Sequence, residues 1–469
     1  MSVRVRFAPS PTGFLHIGGL RTALYNYLFA KQNHGTFILR IEDTDKNRFV
    51  EGAVENLIKT LKWSGIKFDE GPETKKLFGP YFQSQRLSLY KKHIRILINE
   101  KKAYPCFYSE KRKGQIEANN IASNILTEQD KKYRDIDISE SLERMKNEDY
   151  VVRLKVPKTG FVEYTDMVRG KLKFDLSLIE DQILIKSDGF PTYHFANVVD
   201  DHLMKITHVI RGEEWISSMP KHILLYQYFN WEIPEFIHLP LILNQDKTKL
   251  SKRQNDVAVE DYIKKGYLKE AMINYLSLLG WHSSGDRELY SMEELINEFS
   301  IDRIQKSGAI FDVKKLNWMN NYYIKQFKAD EILLLFEKYC SNKEKIDALM
   351  INLIQEKIER LIDIPKELDF IFQYKLQNEK CDFLLKENSS QIIFKELIER
   401  IKTNDVWNGQ EFKNIISDIQ KKTCIKGKDL WMPIRVVLTG NLNGPDIGSI
   451  VEILGKEKCK KRIQAQING

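Results

Sequence analysis

The sequence predicts an α/β protein: a doubly wound parallel sheet, split by an α+β insertion and continued by helices to the end of the chain. Three observations carry this reading. Strand-like and helix-like runs alternate twice within the first 63 residues, the mark of successive β–α units and therefore of parallel strands. From Tyr104 to about Glu148 that rhythm gives way to irregular polar sequence, followed by alternating strands. From about Gln326 onward only helical periodicity remains. At 469 residues the chain is too long for one core, so two to four domains are expected.

Val3, Val5 and Phe7 alternate with Arg4 and Arg6, the period of a strand. The stretch Pro9-Ser10-Pro11-Thr12-Gly13-Phe14-Leu15-His16-Ile17-Gly18-Gly19 is too rich in Pro and Gly to prolong it. From Leu20 the apolar positions Ala23, Leu24, Tyr27 and Leu28 mark one face of a helix. Phe37 to Ile41 form a second apolar run, closed by Glu42-Asp43-Thr44-Asp45. A second amphipathic helix carries Val50, Ala53, Val54, Leu57, Ile58 and Leu61. A strand that passes through paired glycines into a helix can seat a phosphate. The free N–H groups and positive dipole end face the ligand, and a missing Cβ permits close approach. Many loops have this form, so alone it is weak. Ligands of open parallel sheets gather at the carboxyl ends of the strands, where the Arg6-to-Gly19 loop and Glu42 both fall.

Gln83 to Ile98 reads as a helix, and Val151 to Pro157 and Gly160 to Tyr164 as strands. Ile183-Leu184-Ile185 is a short buried strand and Ser187-Asp188-Gly189 a turn. His194 and His202 read at least as well as satisfied core histidines as they do as catalytic groups, and Asp200-Asp201 as a helix cap. After the Pro-interrupted apolar run Ile237 to Leu243 comes Lys249-Leu250-Ser251-Lys252-Arg253, by composition a basic exposed loop. Beyond Asp261 the chain turns helical.

Charged residues at 29% beside 42% hydrophobic ones exclude a disordered chain. The formal net charge of +8 suits a polyanionic partner, although lysines are spread throughout. Five scattered cysteines argue for reduced thiols, and none has the spacing of a metal knuckle. There is no signal-type apolar segment at the start and no apolar run of membrane-spanning length, so a cytoplasmic setting and no membrane partner are expected.

Phe7-Ala8-Pro9-Ser10-Pro11-Thr12-Gly13, Leu15-His16-Ile17-Gly18-Gly19 and Arg40-Ile41-Glu42-Asp43-Thr44-Asp45 resemble the opening of a class I aminoacyl-tRNA synthetase, most closely of the glutamyl branch. His16 to Gly19 stand where that class carries its HIGH signature, with Gly19 replacing the last His. Asp181 to Trp215 continue the resemblance, and Lys249 to Arg253 stand in place of the KMSKS signature. Gln254-Asn255-Asp256 depart from the glycine often found just after it. Arg435 to Gly440 and Gly455-Lys456-Glu457 match the last portion of the family.

The resemblance implies a Rossmann-type catalytic domain over 1–100 and 189–240, and an acceptor-binding insertion over 101–188. It further implies a signature-loop and stem-contact region over 241–325, and an all-α anticodon-binding domain over 326–469. It implies ATP-dependent attachment of L-glutamate to the terminal adenosine of tRNA through a glutamyl-adenylate. His16, Lys249 and Lys252 would be catalytic. Gly18, Gly19, Ser251 and Glu214 would join them around ATP. Arg6, Ala8, Ser10, Glu42, Tyr193, Asn197 and Arg211 would hold glutamate. Glutamate brings two carboxylates and an ammonium, so two guanidinium forks and one acid suit it; Arg6 is expected on the side-chain carboxylate and Glu42 at the ammonium. Mg²⁺ is expected with ATP, held largely by water and phosphate. Some bacterial members carry a structural zinc in the insertion, but Tyr108 stands where a second cysteine would be needed, so no zinc and no protein-bound metal are expected. The partners implied are L-glutamate and tRNA, at its acceptor end and anticodon, with a monomer as the default. A glutaminyl-type ligase or a tRNA-modifying paralogue is the alternative among enzymes, and a catalytically dead tRNA-binding module the alternative outside them. The helical C-terminus and the presence of His16, Lys249 and Lys252 argue against the last two.

Overall fold

A computed structural model describes residues 2–74, 77–107, 132–250, 257–340 and 345–467. The chain forms two compact units. One comprises Met1–Asp261 with Met272–Asp312; the other comprises Tyr262–Ala271 with Val313–Gly469.

In the first unit β1 (Arg4–Phe7) leads through the Pro/Gly loop into α1 (Ile17–Gln32) and then β2 (Thr36–Leu39), which pairs parallel with β1. The helix begins three residues before the sequence pattern suggests. His16 caps it, its Nδ1 accepting from the Gly19 N–H at 3.1 Å, which satisfies one of the donors that a helix start leaves over. Along β1 successive side chains alternate faces, so Arg4 and Arg6 share one and Val5 and Phe7 the other. Next come α2 (Ala53–Trp63) and α3 (Leu87–Asn99). Val50, assigned above to the second helix, lies before its start and is exposed.

The stretch expected as an insertion, 101–188, contains β3 (Ala103–Phe107), α4 (Ile138–Arg144), β4 (Tyr150–Leu154), β5 (Phe161–Asp166), β6 (Gly170–Asp175) and β7 (Ile183–Ile185). Strands β3, β4 and β7 form an antiparallel sheet with β4 in the middle, and β5 and β6 form a separate hairpin. The short helix α4 falls within the stretch that the sequence pattern leaves irregular. It starts at an Asp137 cap whose carboxylate accepts from the Ser139 N–H.

After the insertion come α5 (Tyr193–Leu203), β8 (His208–Gly212), α6 (Met219–Tyr228), β9 (Glu235–Leu239), β10 (Ile242–Leu243) and, further on, β11 (Ala309–Ile310). Strands β8 and β9 pair parallel, as do β10 and β11. Thr207 ties the first two parallel pairs together: its N–H donates to the Arg4 carbonyl at 2.9 Å, and its Oγ1 accepts from the Arg4 N–H at 2.9 Å. The strand expected from Ile237 to Leu243 is thus two short strands broken at Pro240, which has no N–H for a ladder.

The second unit holds helices and no strand among the described residues. Its core includes Ile332, Phe336, Ile364, Phe394, Leu397, Ile416, Ile434, Val437 and Val451, all buried. The 241–325 stretch, expected as one region, is divided between the two units. Helix Val313–Ile324 joins the second through Ile324 in that core and through Asn320 and Asn321. Their Nδ2 groups donate to the carbonyls of Glu359 at 2.6 Å and Ile358 at 2.7 Å. Among the described residues no helix is long and apolar enough to cross a membrane.

Candidate active site

Two distant pieces of sequence meet at the start of α1. The Ile17 N–H donates to the Val257 carbonyl at 2.8 Å and the Val259 N–H to the Leu15 carbonyl at 2.9 Å, so His16 and Ala258 face each other as an antiparallel bridge. At the other end of the basic loop Lys249 bridges to Leu243, and the Leu250 N–H donates to the Ile242 carbonyl at 3.0 Å. The exposed Lys249 ammonium lies 3.8 Å from the Glu214 carboxylate. The chain therefore leaves β10 beside Glu214 and returns beside His16. Ser251 and Lys252 themselves lie outside the described residues. From α1 the buried Arg21 donates to the carbonyls of Pro240 and Leu279, fixing the helix to the residue pair before β10 and to the chain at Leu279.

The two glycines of the first helical turn are confined. A Cβ on Gly18 would stand 3.1 Å from the His16 imidazole, and one on Gly19 only 2.8 Å from Leu15 Cδ1. A side chain at position 19 thus requires the tip of Leu15 to shift.

A second cluster lies at the ends of β1, β2 and β8. Arg6, buried, donates to Asp201 from Nε and from Nη2, each at 3.1 Å. Arg40, fully buried just past β2, donates to Asp201 at 2.7 Å and to Glu42 at 3.0 Å. Asn197, one turn from Asp201 on α5, satisfies both neighbours when its oxygen faces Arg40 Nη2 at 3.1 Å and its nitrogen Asp201 Oδ2 at 3.2 Å. Burial works against the Asp201 carboxylate, but Arg6 and Arg40 outweigh it and hold the group below its ordinary range. Glu42 goes the other way. Burial raises it, and Arg40 and Arg6 offset only part of the rise. The Glu42 N–H donates to the Pro9 carbonyl at 3.0 Å, so the loop segment carrying Ala8 and Ser10 runs alongside it.

Arg211, on β8, has different surroundings. Its Nε donates to His238 Nε2 at 3.1 Å, Nη1 to Tyr193 Oη at 2.8 Å and to His222 Nδ1 at 3.3 Å, and Nη2 to Met219 Sδ at 3.0 Å. Every one of these acceptors is neutral: burial pushes His222 and His238 below their ordinary range, and raises the Tyr193 phenol. No carboxylate among the described residues pairs with this buried guanidinium. Trp215 packs on Tyr193 with ring centres 4.2 Å apart.

The sequence-expected residues thus fall into two groups within one unit. Arg6, Glu42 and Asn197 come together through the partners Asp201 and Arg40, and Tyr193, one turn before Asn197 on α5, meets Arg211 directly. His16, Gly18 and Gly19 form the start of α1, and Lys249 and Glu214 meet beside β10, at the opposite end of the basic loop that returns to His16. One expectation changes: Arg6 is not an open bidentate fork, because Asp201 takes two of its three nitrogens and leaves Nη1 over.

A family model for class I (E and Q) tRNA synthetases, catalytic domain, matches residues 2–318, and an anticodon binding domain matches 319–467. The chain belongs to the class I (E and Q) tRNA synthetases. A Glutamate--tRNA ligase of Finegoldia magna is 47% identical to this synthetase over 487 residues, spanning 99% of each chain. A Glutamate--tRNA ligase of Alkaliphilus metalliredigens is 46% identical, over 99% of this chain and 98% of its own. Among solved structures, a glutamate tRNA ligase from Elizabethkingia meningosepticum in complex with its amino acid superimposes with a TM-score of 0.89 at 36% identity, over 100% of this chain and 99% of that one.

Several residues of the synthetase's charged cluster escape sequence reasoning. Asp200 and Asp201 are not a helix cap but lie inside α5, fully buried. Asp200 accepts from Arg86 at 2.7 Å, Tyr90 at 2.7 Å and Gln83 at 2.9 Å. The signal was there: two acids directly after Val198-Val199, and Arg40 directly after Phe37-Ile38-Leu39, are charges inside apolar runs, which stay ionised only if paired. His202 stacks on Trp231 with ring centres 3.8 Å apart, and His194 meets His222 at 3.3 Å, so both histidines have core partners. Cys106 is buried in β3, and Tyr108 lies outside the described residues. Among the described residues no group of three or more His, Cys, Asp or Glu side chains is placed to hold a metal ion.

Proposed function

We propose that the chain joins L-glutamate to the 3′-terminal adenosine of tRNA at the expense of ATP, through a glutamyl-adenylate. The observation that carries this reading is the buried Arg211 guanidinium, which neutral acceptors hold in place and no carboxylate among the described residues neutralises. It is a fixed positive charge matched to a carboxylate ligand. The full-length similarity to glutamate–tRNA ligases gives that ligand its identity.

In the first step an α-carboxylate oxygen of glutamate attacks the α-phosphorus of ATP and pyrophosphate leaves. The attacking group is already ionised at neutral pH, so no general base is needed, and the rate rests on alignment and on charge stabilisation. His16 and the N–H groups at the start of α1, around Gly18 and Gly19, address the triphosphate from one side. Lys249 and Lys252 address it from the other, with Ser251 in the same loop and Glu214 at its base. A lysine on a long stem suits a loop that closes as charge develops. Around glutamate, Arg211 and Arg6 Nη1 take the two carboxylates. Glu42 takes the ammonium, and Tyr193 and Asn197 fix the neighbouring groups. Ala8 and Ser10 line the floor. The self-neutralised set of Arg6, Arg40, Asp201 and Glu42 keeps these groups rigid before substrate arrives. Mg²⁺ travels with ATP on phosphate and water ligands.

In the second step a ribose hydroxyl of the terminal adenosine attacks the activated carbonyl and AMP leaves. The catalytic domain is read as a Rossmann-type doubly wound sheet over 1–100 and 189–240. The insertion 101–188 presents the acceptor end, and the helices of 326–469 meet the anticodon. ATP–pyrophosphate exchange with and without tRNA tests the reading. Glutamate-dependent exchange supports it, and its absence in the presence of the cognate tRNA refutes it. Charging assays on the purified glutamate and glutamine tRNAs separate the glutamyl from the glutaminyl type.

A further inference from the structure

The hairpin β5–β6 belongs to the insertion, yet its turn reaches the neighbourhood of Arg211. Asp166, the last residue of β5, is buried, and its Oδ2 lies 2.7 Å from His238 Nδ1. Its Oδ1 accepts from the N–H groups of Val168 at 2.9 Å and Arg169 at 2.8 Å, which closes the turn. Arg169, in that turn, pairs with Glu213 at 2.5 Å and donates to the Lys306 carbonyl at 2.6 Å. The Met167 N–H donates to the Phe236 carbonyl at 3.0 Å, which fastens the hairpin along β9. His238 is fully buried and stands opposite Arg211 in the β8–β9 register.

These partners determine which nitrogen of His238 carries the proton. Arg211 Nε–H can only donate, so His238 Nε2 must present its lone pair. A carboxylate can only accept, so Nδ1 must carry the hydrogen that meets Asp166. Burial keeps the ring neutral at neutral pH. The chain Asp166–His238–Arg211 therefore runs in one direction, from an acceptor on the insertion to a donor in the amino-acid site.

We propose that Asp166 is a positioning residue for the amino-acid step: it locks His238 in the Nδ1–H tautomer, and His238 in turn sets the plane and reach of Arg211. This rests on the reading of Arg211 as a carboxylate ligand of glutamate. It adds that the insertion, through the turn of β5–β6, helps to build that ligand's geometry.

Asp166→Asn separates this role from mere packing. The Asn carbonyl oxygen can still accept from Val168 and Arg169, but its NH₂ now faces Nδ1. The ring is driven to the other tautomer, with Nε2–H pointing at Arg211 Nε–H, donor against donor. In the purified enzyme with cognate tRNA, the glutamate KM is expected to rise about tenfold or more while the ATP KM stays within about twofold. Nitrogen-15 spectra of histidine-labelled enzyme, with His238 assigned by its own substitution, are expected to show a protonated Nδ1 in the natural protein and a protonated Nε2 in Asp166→Asn. An unchanged glutamate KM in a folded Asp166→Asn overturns the proposal. So does a protonated Nε2 in the natural protein, a measurement that holds even if the variant fails to fold. Arg211→Lys tells the two levels apart. If it leaves the glutamate KM unchanged, the reading of the site fails and this inference with it; if it raises that KM while Asp166→Asn does not, only this inference fails.

Discussion

Arg6 meets Asp201 through two guanidinium nitrogens at 3.1 Å with both side chains buried, whereas no carboxylate among the described residues neutralises Arg211. The two arginines expected to grip glutamate are therefore not equivalent. One brings a charge already balanced inside the protein. The other brings a charge whose side-chain acceptors among the described residues are all neutral. The uncommitted positive charge of the pocket sits on Arg211, and losing it is expected to cost the most affinity.

Arg211→Gln is accordingly expected to raise the glutamate KM by about 100-fold or more, since a bound carboxylate would be left facing neutral groups. Steady-state exchange assays with cognate tRNA check this. A KM within a factor of two of the natural enzyme contradicts it.

Arg6→Leu is expected to raise the glutamate KM at least about tenfold, through loss of Nη1 and through an Asp201 left with one guanidinium partner, Arg40, among the described residues. The two effects separate in a denaturant titration, because only the second lowers stability. An unchanged KM removes Arg6 from the pocket.

Asp201→Asn is expected to destabilise the fold by about 3–5 kcal/mol at neutral pH, the range for breaking a buried ion pair from one side. Since Arg6 and Arg40 hold the Asp201 carboxyl below its ordinary range, its stabilising contribution is present above the unfolded value of about 3.9. It is lost as pH falls through the lower folded value. The gap between the natural protein and Asp201→Asn in urea unfolding is therefore expected to be largest near neutrality and to narrow in acid. A gap independent of pH contradicts the assignment.

Much of this cluster could not be read from the sequence. The strand–loop–helix opening and the helical C-terminus were legible because each is local. Alternation, glycine spacing and helical period need no partner to be seen. Asp201 was not, because its role depends on Arg6 and Arg40, at separations of 195 and 161 residues. Nor was His238, whose meaning comes only from Asp166 on one side and Arg211 on the other. The start of α1 was placed late for a related reason: the His16 cap is a side-chain contact, and apolar periodicity does not report it.

Burial raises the Glu42 carboxyl, so as pH falls it takes up its proton before an ordinary glutamate with a value of about 4.3 does. A neutral carboxyl no longer attracts an ammonium. The glutamate KM is therefore expected to climb as pH drops from neutrality, before ordinary carboxylates titrate. In Glu42→Gln the KM should be high throughout and the slope lost. A profile in Glu42→Gln parallel to that of the natural enzyme contradicts this.

On the proposed reading, the chemistry depends on stabilising charge at the α-phosphate from two sides. The pairing of Leu15 to Ile17 with Val257 to Val259 returns the lysine-bearing loop to His16. The most direct test is the rate of glutamate-dependent ATP–pyrophosphate exchange by Lys252→Ala with cognate tRNA present. A fall of about 10²-fold or more with glutamate affinity nearly unchanged is expected, the pattern of an interaction made in the transition state. Exchange at the natural rate would contradict it.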